Sequence, residues 1–206
     1  MSARYQYSRQ LKELERHILD MGSMMEELLN SSIEALVDQN VELAEVTIEK
    51  DEDINNFAFD IEDRCVRLIA TEQPVAKDLR LIHASLKIIT DIERMADHGV
   101  DINKIAIRLA NESYMKTIID IPKMADIGLD MVRDALKAYV DKDVVLATDV
   151  CTRDDIVDNI YEDLFDELLE YMKVDSENIY QSTNFLLVAK YLERIADHAT
   201  NICEWI

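Results

Sequence analysis

Apolar residues recur at steps of three and four along most of this chain, which is the spacing of one face of an α-helix. Six such stripes follow one another, and they run through residues 11–28, 54–68, 88–102, 125–139, 157–168 and 188–206. A helical bundle core explains all six, including their methionines, without any cofactor.

Short polar segments separate the stripes, at residues 38–40, 71–74, 111–122, 141–143 and 174–177. Pro74 marks one of them, because proline cannot continue a helix and restricts the residue before it. The pattern therefore predicts six helices, over residues 8–38, 41–71, 75–111, 122–140, 143–173 and 176–206. Short loops make consecutive helices antiparallel, and the longest break, 111–122, is the candidate domain boundary.

The chain also repeats itself. Residues 91–103 (DIERMADHGVDIN) and 191–203 (YLERIADHATNIC) match at six of thirteen positions, at an offset of 100. Residues 50–56 (KDEDINN) resemble residues 153–159 (RDDIVDN) at an offset of 103. Three helices per repeat predict an all-α fold of two tandem three-helix bundles, the first over residues 1–113 and the second over residues 114–206.

Composition and charge exclude further fold classes and partners. Only 3 Gly and 2 Pro occur in 206 residues, too few for the many tight turns of a β or α/β fold. The net charge is −21, with 43 acidic against 22 basic residues. That sign opposes non-specific nucleic-acid binding and attraction to anionic membranes, so neither is expected as a partner. No apolar run is long enough to span a membrane.

Other features indicate a cytoplasmic protein that is not an enzyme. The three cysteines include no CxxC pair and suit a reducing compartment, where buried thiols act as small apolar side chains. The first residues, MSARYQYSRQLKELE, lack the apolar stretch of a signal peptide. The sequence contains no nucleophile–base constellation and no glycine-rich phosphate loop.

The acidic residues carry the candidate chemistry. Glu93 and Asp97 lie one helical turn apart, and so do Glu193 and Asp197. Both pairs lie opposite the apolar stripe of their helix, so we expect these acids outside the bundle core.

Folding each predicted hairpin about its turn brings further oxygen-bearing side chains to these acids. The first acidic group is Asp51, Asn55, Glu93 and Asp97, and the second is Asp154, Asp158, Glu193 and Asp197. Asp51 is expected to face Asp97, and Asp154 to face Asp197. Asp101 lies one turn beyond Asp97 and adds a carboxylate to the first group, whereas Asn201 has that place in the second.

Clustered carboxylates repel one another unless a cation lies between them, and such clusters bind Mg, Mn or Fe. The second group should be the better site, because Asn55 leaves the first one charge short. A solvated acidic face, with Arg64, Arg94 and Arg194 as counter-charges, is the alternative interpretation.

The histidines do not fit a ferritin-type di-iron site. Such sites use Glu-x-x-His projecting inward. Here Glu93 and His98 are five residues apart and the acids point outward. At the edge of the core stripes, His98 and His198 are expected to hydrogen-bond across helices rather than to ligate metal.

Two segments resemble a known family. Residues 73–106 (QPVAKDLRLIHASLKIITDIERMADHGVDINKIA) look like the signature of the phosphate-uptake regulator family PhoU, and residues 184–206 (NFLLVAKYLERIADHATNICEWI) resemble its second repeat. The resemblance implies paired three-helix bundles in a cytoplasmic, often dimeric, non-enzymatic protein. It further implies negative regulation of phosphate-starvation genes, by coupling the ATPase of the phosphate ABC transporter to a sensor histidine kinase.

The resemblance also implies divalent-metal clusters, with iron as the leading candidate and Mn, Zn, Ni or Mg as other possibilities. The family's E(D)xxxD motifs correspond to the i,i+4 pairs of the two acidic groups, and Asn55 departs from that pattern. Two alternatives stay open at this point. One is a spectrin-like structural repeat protein, which would not need matched ERxADH segments, and the other is a metal-storage carboxylate bundle.

Overall fold

The structure is a computed structural model that describes residues 3–115 and 118–206. These residues form helices and no strands, which confirms the all-α prediction. The helices are α1 (Ala3–Val37), α2 (Val41–Glu49), α3 (Asp51–Glu72), α4 (Ala76–Leu109), α5 (Asp120–Asp141), α6 (Val144–Val174) and α7 (Asn178–Cys203).

The helix predicted over residues 41–71 is wrong in one respect, because it divides into α2 and α3 at Lys50. The Lys50 N–H donates to the carbonyl of Thr47 at 3.2 Å, three residues back, so the regular ladder is interrupted. The next helix then begins on Asp51, Glu52 and Asp53. Acidic side chains favour a helix N-terminus, which is why a new helix starts at this point.

The break between the halves is shorter than the predicted 111–122, because α5 already begins at Asp120. Pro122 lies in its first turn, where no backbone N–H is needed. Lys116 and Thr117, in the middle of the predicted break, lie outside the described residues, as do Met1 and Ser2 of the predicted first domain.

The predicted apolar stripes form the core. Ile18, Ile61, Ile92 and Ile195 are all fully buried, whereas the stripe end Leu11 is half-buried. In the first half α1, α3 and α4 pack against one another, and in the second half α5, α6 and α7 do. Contacts of α4 with α7 and of α1 with α5 join the halves. The division between residues 113 and 114 stays a prediction.

The expectation of buried thiols is correct for two cysteines and wrong for the third. Cys65 and Cys203 are buried, and burial raises the pKa of each thiol to about 12. Cys151 on α6 is exposed, and its thiol interacts with the buried Cys203 thiol, whose pKa it raises further. The odd cysteine is therefore not a core side chain.

One position shows how the halves differ in packing. Gly99 on α4 stands where a Cβ would overlap the Leu28 side chain of α1. The equivalent residue on α7 is Ala199, which is buried. The close approach of the Leu28 side chain on α1 therefore favours glycine at position 99, whereas the second half accommodates alanine at the equivalent position.

Candidate metal-binding groups on two helical hairpins

The first acidic group lies between α3 and α4. Asp51 is half-buried near the start of α3, and the Asn55 side-chain amide donates a hydrogen bond to its Oδ2 at 2.9 Å. Burial raises the Asp51 pKa, the Asn55 hydrogen bond opposes this, and the charge of Asp97 raises the pKa further. Asp51 and Asp97 therefore lie close enough to interact, as the hairpin register predicts.

Asp101 is already engaged on its own helix. Its Oδ1 lies 2.8 Å from Nζ of Lys104, three residues later on α4. Asn201, at the corresponding place on α7, is half-buried. The Lys104 charge also lowers the Asp51 pKa, so a lysine moderates the repulsion in the first group.

The second acidic group is more strongly repulsive. Burial raises the Asp154 pKa to about 6, and the charges of Asp158, Asp197 and Glu193 raise it as well. The pKa values of Asp158 and Asp197 are also raised, first by burial and then by the charge of Glu193. All four members interact, so α6 and α7 bring together the set that the sequence predicts.

A lysine that the sequence analysis did not single out belongs to the second group. Lys190 Nζ lies 2.6 Å from the Glu193 carboxylate and 5.4 Å from the centre of the Tyr161 ring. The equivalent residue in the first half is Thr90. The three-residue spacing between Lys190 and Glu193 on one helix is the sequence feature that could have predicted this ion pair.

The acids lie outside the core, as predicted: Asp97 and Asp158 are exposed, and the other carboxylates of the two groups are half-buried. Several of their oxygens lack hydrogen-bond donors. Asp51 Oδ1, Asn55 Oδ1 and Asp154 Oδ1 are shielded from solvent and accept no hydrogen bond. A shielded acceptor without a donor is unfavourable, and an oxygen-preferring divalent cation can satisfy it. The donor set therefore fits a hard or borderline cation.

Within residues 3–115 and 118–206, no three His, Cys, Asp or Glu side chains already stand in a metal-binding arrangement. Side-chain rotation would have to complete the coordination in either group. Metal ligation by the ten residues of the two groups and their neighbours stays a prediction.

The two histidines join the halves across α4 and α7. His198 is buried, and its Nδ1 lies 2.9 Å from Oδ1 of Asp91. His98 stacks on Tyr191, with ring centroids 5.4 Å apart, and its centroid lies 5.9 Å from that of His198. Each histidine thus meets residue 91 or 191 of the opposite repeat. The predicted cross-helix hydrogen bond is confirmed for His198 and wrong for His98, whose Nδ1 is shielded from solvent and has no hydrogen-bond partner among the described residues.

No helix in the described part of the chain is both long and apolar enough to cross a membrane. This agrees with the hydropathy pattern of the sequence. The Asp, Glu, Lys and Arg side chains of α3, α4, α6 and α7 are instead exposed or half-buried.

Comparison with known proteins gives a consistent result. A family model described as PhoU domain matches residues 18–106 and again residues 121–206. A phosphate-specific transport system accessory protein PhoU homolog from Clostridium acetobutylicum is 44% identical over 195 residues, covering 94% of this chain and 89% of that protein.

Solved structures agree with this match. The crystal structure of PhoU from Pseudomonas aeruginosa superimposes with a TM-score of 0.92 at 34% identity, over 97% of this chain and 96% of that one. The phosphate transport system regulatory protein PhoU from Streptococcus pneumoniae superimposes with a TM-score of 0.90 at 32% identity, over 97% and 94% of the chains. A family match to both repeats, supported by sequence and fold along nearly the whole chain, establishes that this chain belongs to the PhoU family.

Proposed function

We propose that this chain is an accessory protein of a phosphate transport system and regulates phosphate uptake. The observation that carries the proposal is the match along nearly the whole chain to the Clostridium acetobutylicum relative, whose name assigns it that role. The Streptococcus pneumoniae structure is likewise named a phosphate transport system regulatory protein.

The regulator acts through contacts with other proteins. Its partners in this proposal are the ATPase of the phosphate ABC transporter and a sensor histidine kinase, and its effect is negative regulation of phosphate-starvation genes. It works in the cytoplasm as a homodimer and catalyses no reaction. The strongly acidic surface supports protein partners over nucleic acid, because 43 acidic residues oppose the phosphate backbone.

The two acidic groups bind divalent metal in this proposal, with iron as the leading candidate. The ligands come from both helices of a hairpin, α3 with α4 and α6 with α7. A cation there would neutralise carboxylates that otherwise repel across the hairpin, as the raised Asp154 pKa indicates. The chain's own residues thereby hold two helices together more firmly when metal is bound.

The test is capture of the transporter ATPase by this chain from phosphate-replete cells. We expect capture with the wild type and with Lys137→Gln, which changes an exposed side chain of α5. Ile88→Asp, which places a charge in the core, should abolish capture because it disrupts the first bundle. Absence of ATPase from the wild-type capture, together with unchanged phosphate-starvation genes after deletion of this chain, would reject the proposal.

A further inference from the structure

A small cavity lies where the start of α4, the end of α5 and the residues after α7 meet. Its volume is about 250 Å³, somewhat below the range of about 300–1,000 Å³ that is typical of ligand clefts. No member of either acidic group lines it. It is therefore a separate site, large enough for a base, with its cationic residues Lys77, Arg80 and Lys142 at the exposed rim, and too small for an extended cofactor.

The charge of this cavity is opposite to that of the chain. Lys77, Arg80 and Lys142 line it, against the single carboxylate of Asp78. The whole chain has 43 acidic and 22 basic residues, so three cations around one acid are a local exception. Lys77 and Arg80 belong to the QPVAKDLR segment of residues 73–80, which contributes no residue to either acidic group.

Two of the three cationic side chains, Lys77 and Arg80, line the cavity without an acidic partner among the described contacts. Lys142 is shared with Glu15, because burial raises the pKa of that partly buried carboxyl and the Lys142 charge lowers it. Elsewhere on the surface, lysines and arginines such as Lys104 and Arg133 pair with neighbouring acids. Unpaired guanidinium and ammonium groups around one concave site recognise phosphoryl oxygens, for which arginine offers paired N–H donors.

The remaining wall of the cavity is aromatic and apolar. Trp205 and Tyr139 line it, together with Leu81 and Ala84. The Tyr139 hydroxyl is already used, 2.9 Å from Oγ of Ser85 and buried, so only its ring is available to a ligand.

Trp205 is held in place but stays accessible. His83 makes a T-shaped contact with its indole, with centroids 5.4 Å apart and planes at 82°. The residue remains 38% exposed. A fixed, accessible indole beside cationic side chains is a surface on which a flat ring can stack.

We propose that this cavity binds a nucleotide, with the base against Trp205 and the phosphoryl groups on Lys77, Arg80 and Lys142. A simple oxyanion would make no use of the aromatic wall, and a neutral ring compound would make no use of the three cations. An acidic peptide needs an extended groove, whereas this cavity is small. The site is independent of the metal-binding proposal, since the two share no residue.

The experiment uses the chain's single tryptophan as the probe. The metal-free 206-residue protein is titrated with ADP, adenosine and inorganic phosphate, following Trp205 fluorescence and, in parallel, heat by calorimetry. We expect saturable one-to-one binding of ADP, with adenosine and phosphate each binding at least about tenfold more weakly, because each supplies only half of the contacts. Phosphate binding as tightly as ADP, or no saturable binding of ADP by either method, would overturn the proposal.

Matched variants locate the site. Arg80→Gln and Lys142→Gln should each weaken ADP binding by about tenfold, the scale of a lost charge-assisted hydrogen bond. Lys137→Gln removes the same charge from α5 outside the cavity and should leave the affinity within about twofold. All three positions are exposed, so thermal melts should match the wild type. Equal weakening by Lys137→Gln and Arg80→Gln would show a general charge effect and refute the site.

Discussion

The two acidic groups occupy equivalent helices and differ in how their charges are balanced. In the first, Asn55 donates to Asp51 and reduces the repulsion by an internal hydrogen bond. In the second, a carboxylate replaces the amide, the Asp154 pKa rises to about 6, and Lys190 pairs with Glu193. Repetition of the hairpin thus determines where the oxygens lie. The residues at one or two positions determine how strongly the carboxylates repel one another, and hence how much a bound cation would stabilise the hairpin.

The largest expected effect is on stabilisation by metal. Saturating Mn or Fe(II) should raise the melting temperature by about 5–10 °C, since binding at a hundredfold excess over Kd contributes about 2.7 kcal/mol. Glu193→Ala combined with Asp197→Ala should remove most of that increment, because the second group carries more charge. The matched pair Glu93→Ala with Asp97→Ala should remove less. Melts with Mn, Fe(II) and chelator, with elemental analysis, measure both.

That comparison has a clear contrary outcome. If chelator leaves the wild-type melt unchanged and the loaded protein contains no metal, the two groups are a solvated acidic surface. The regulatory proposal would survive that result, because it rests on the family match and not on metal.

Changing the residues at positions 90 and 190 sharpens the comparison. Lys190→Met removes the internal cation from the second group and should tighten metal binding about two- to fivefold, the scale of a partly exposed ion pair. Thr90→Lys should weaken the first group by a similar factor, since it introduces the same cation three residues before Glu93. Metal titrations of both variants check this, and no change in either would show that the lysine does not modulate the sites.

The raised Asp154 pKa predicts a pH-dependent stability difference in chelator. An acid with a raised folded pKa favours folding most when protonated, so its ionisation destabilises the protein as pH rises from about 4 to about 6. Asp154→Asn should therefore stabilise the protein at pH 7, by roughly 1 kcal/mol after allowance for solvent screening, or about 2–4 °C. Differential melts at pH 7 and pH 4 test this, since the advantage should shrink at pH 4. Asp166→Asn, at an exposed position of α6, is the control and should show no such pH dependence.

The smallest expected effect comes from making the first group resemble the second. Asn55→Asp removes the hydrogen bond to Asp51 and adds a charge, which should cost about 0.5–1 kcal/mol without metal. With metal the same variant should gain a larger increment in melting temperature than the wild type. The reverse change, Asp158→Asn, should reduce the increment of the second group, and a response of equal sign in both variants would contradict the proposed role of this position.

Much of the fold could be predicted because helical periodicity is a local property of the chain. The apolar stripes, the polar breaks and the 100-residue repeat predict helices, hairpins and the facing of Asp51 with Asp97 and of Asp154 with the acids of α7. Helix geometry converts spacing along the chain directly into position on a face. The break at Lys50 escaped prediction, since it depends on a choice between hydrogen bonds three and four residues back.

The sequence alone determined the fold class and the repeat, because both follow from the periodicity of the helices and from similarity, and it predicts the members of each acidic group. Only the tertiary structure decided how the halves meet, with His198 on Asp91 and His98 on Tyr191. It also decided that Lys77, Arg80 and Lys142 surround one cavity with Trp205. Residues 77–80, 142 and 205 are far apart in the chain. They are brought together by the packing of helices on one another, which no local sequence pattern encodes.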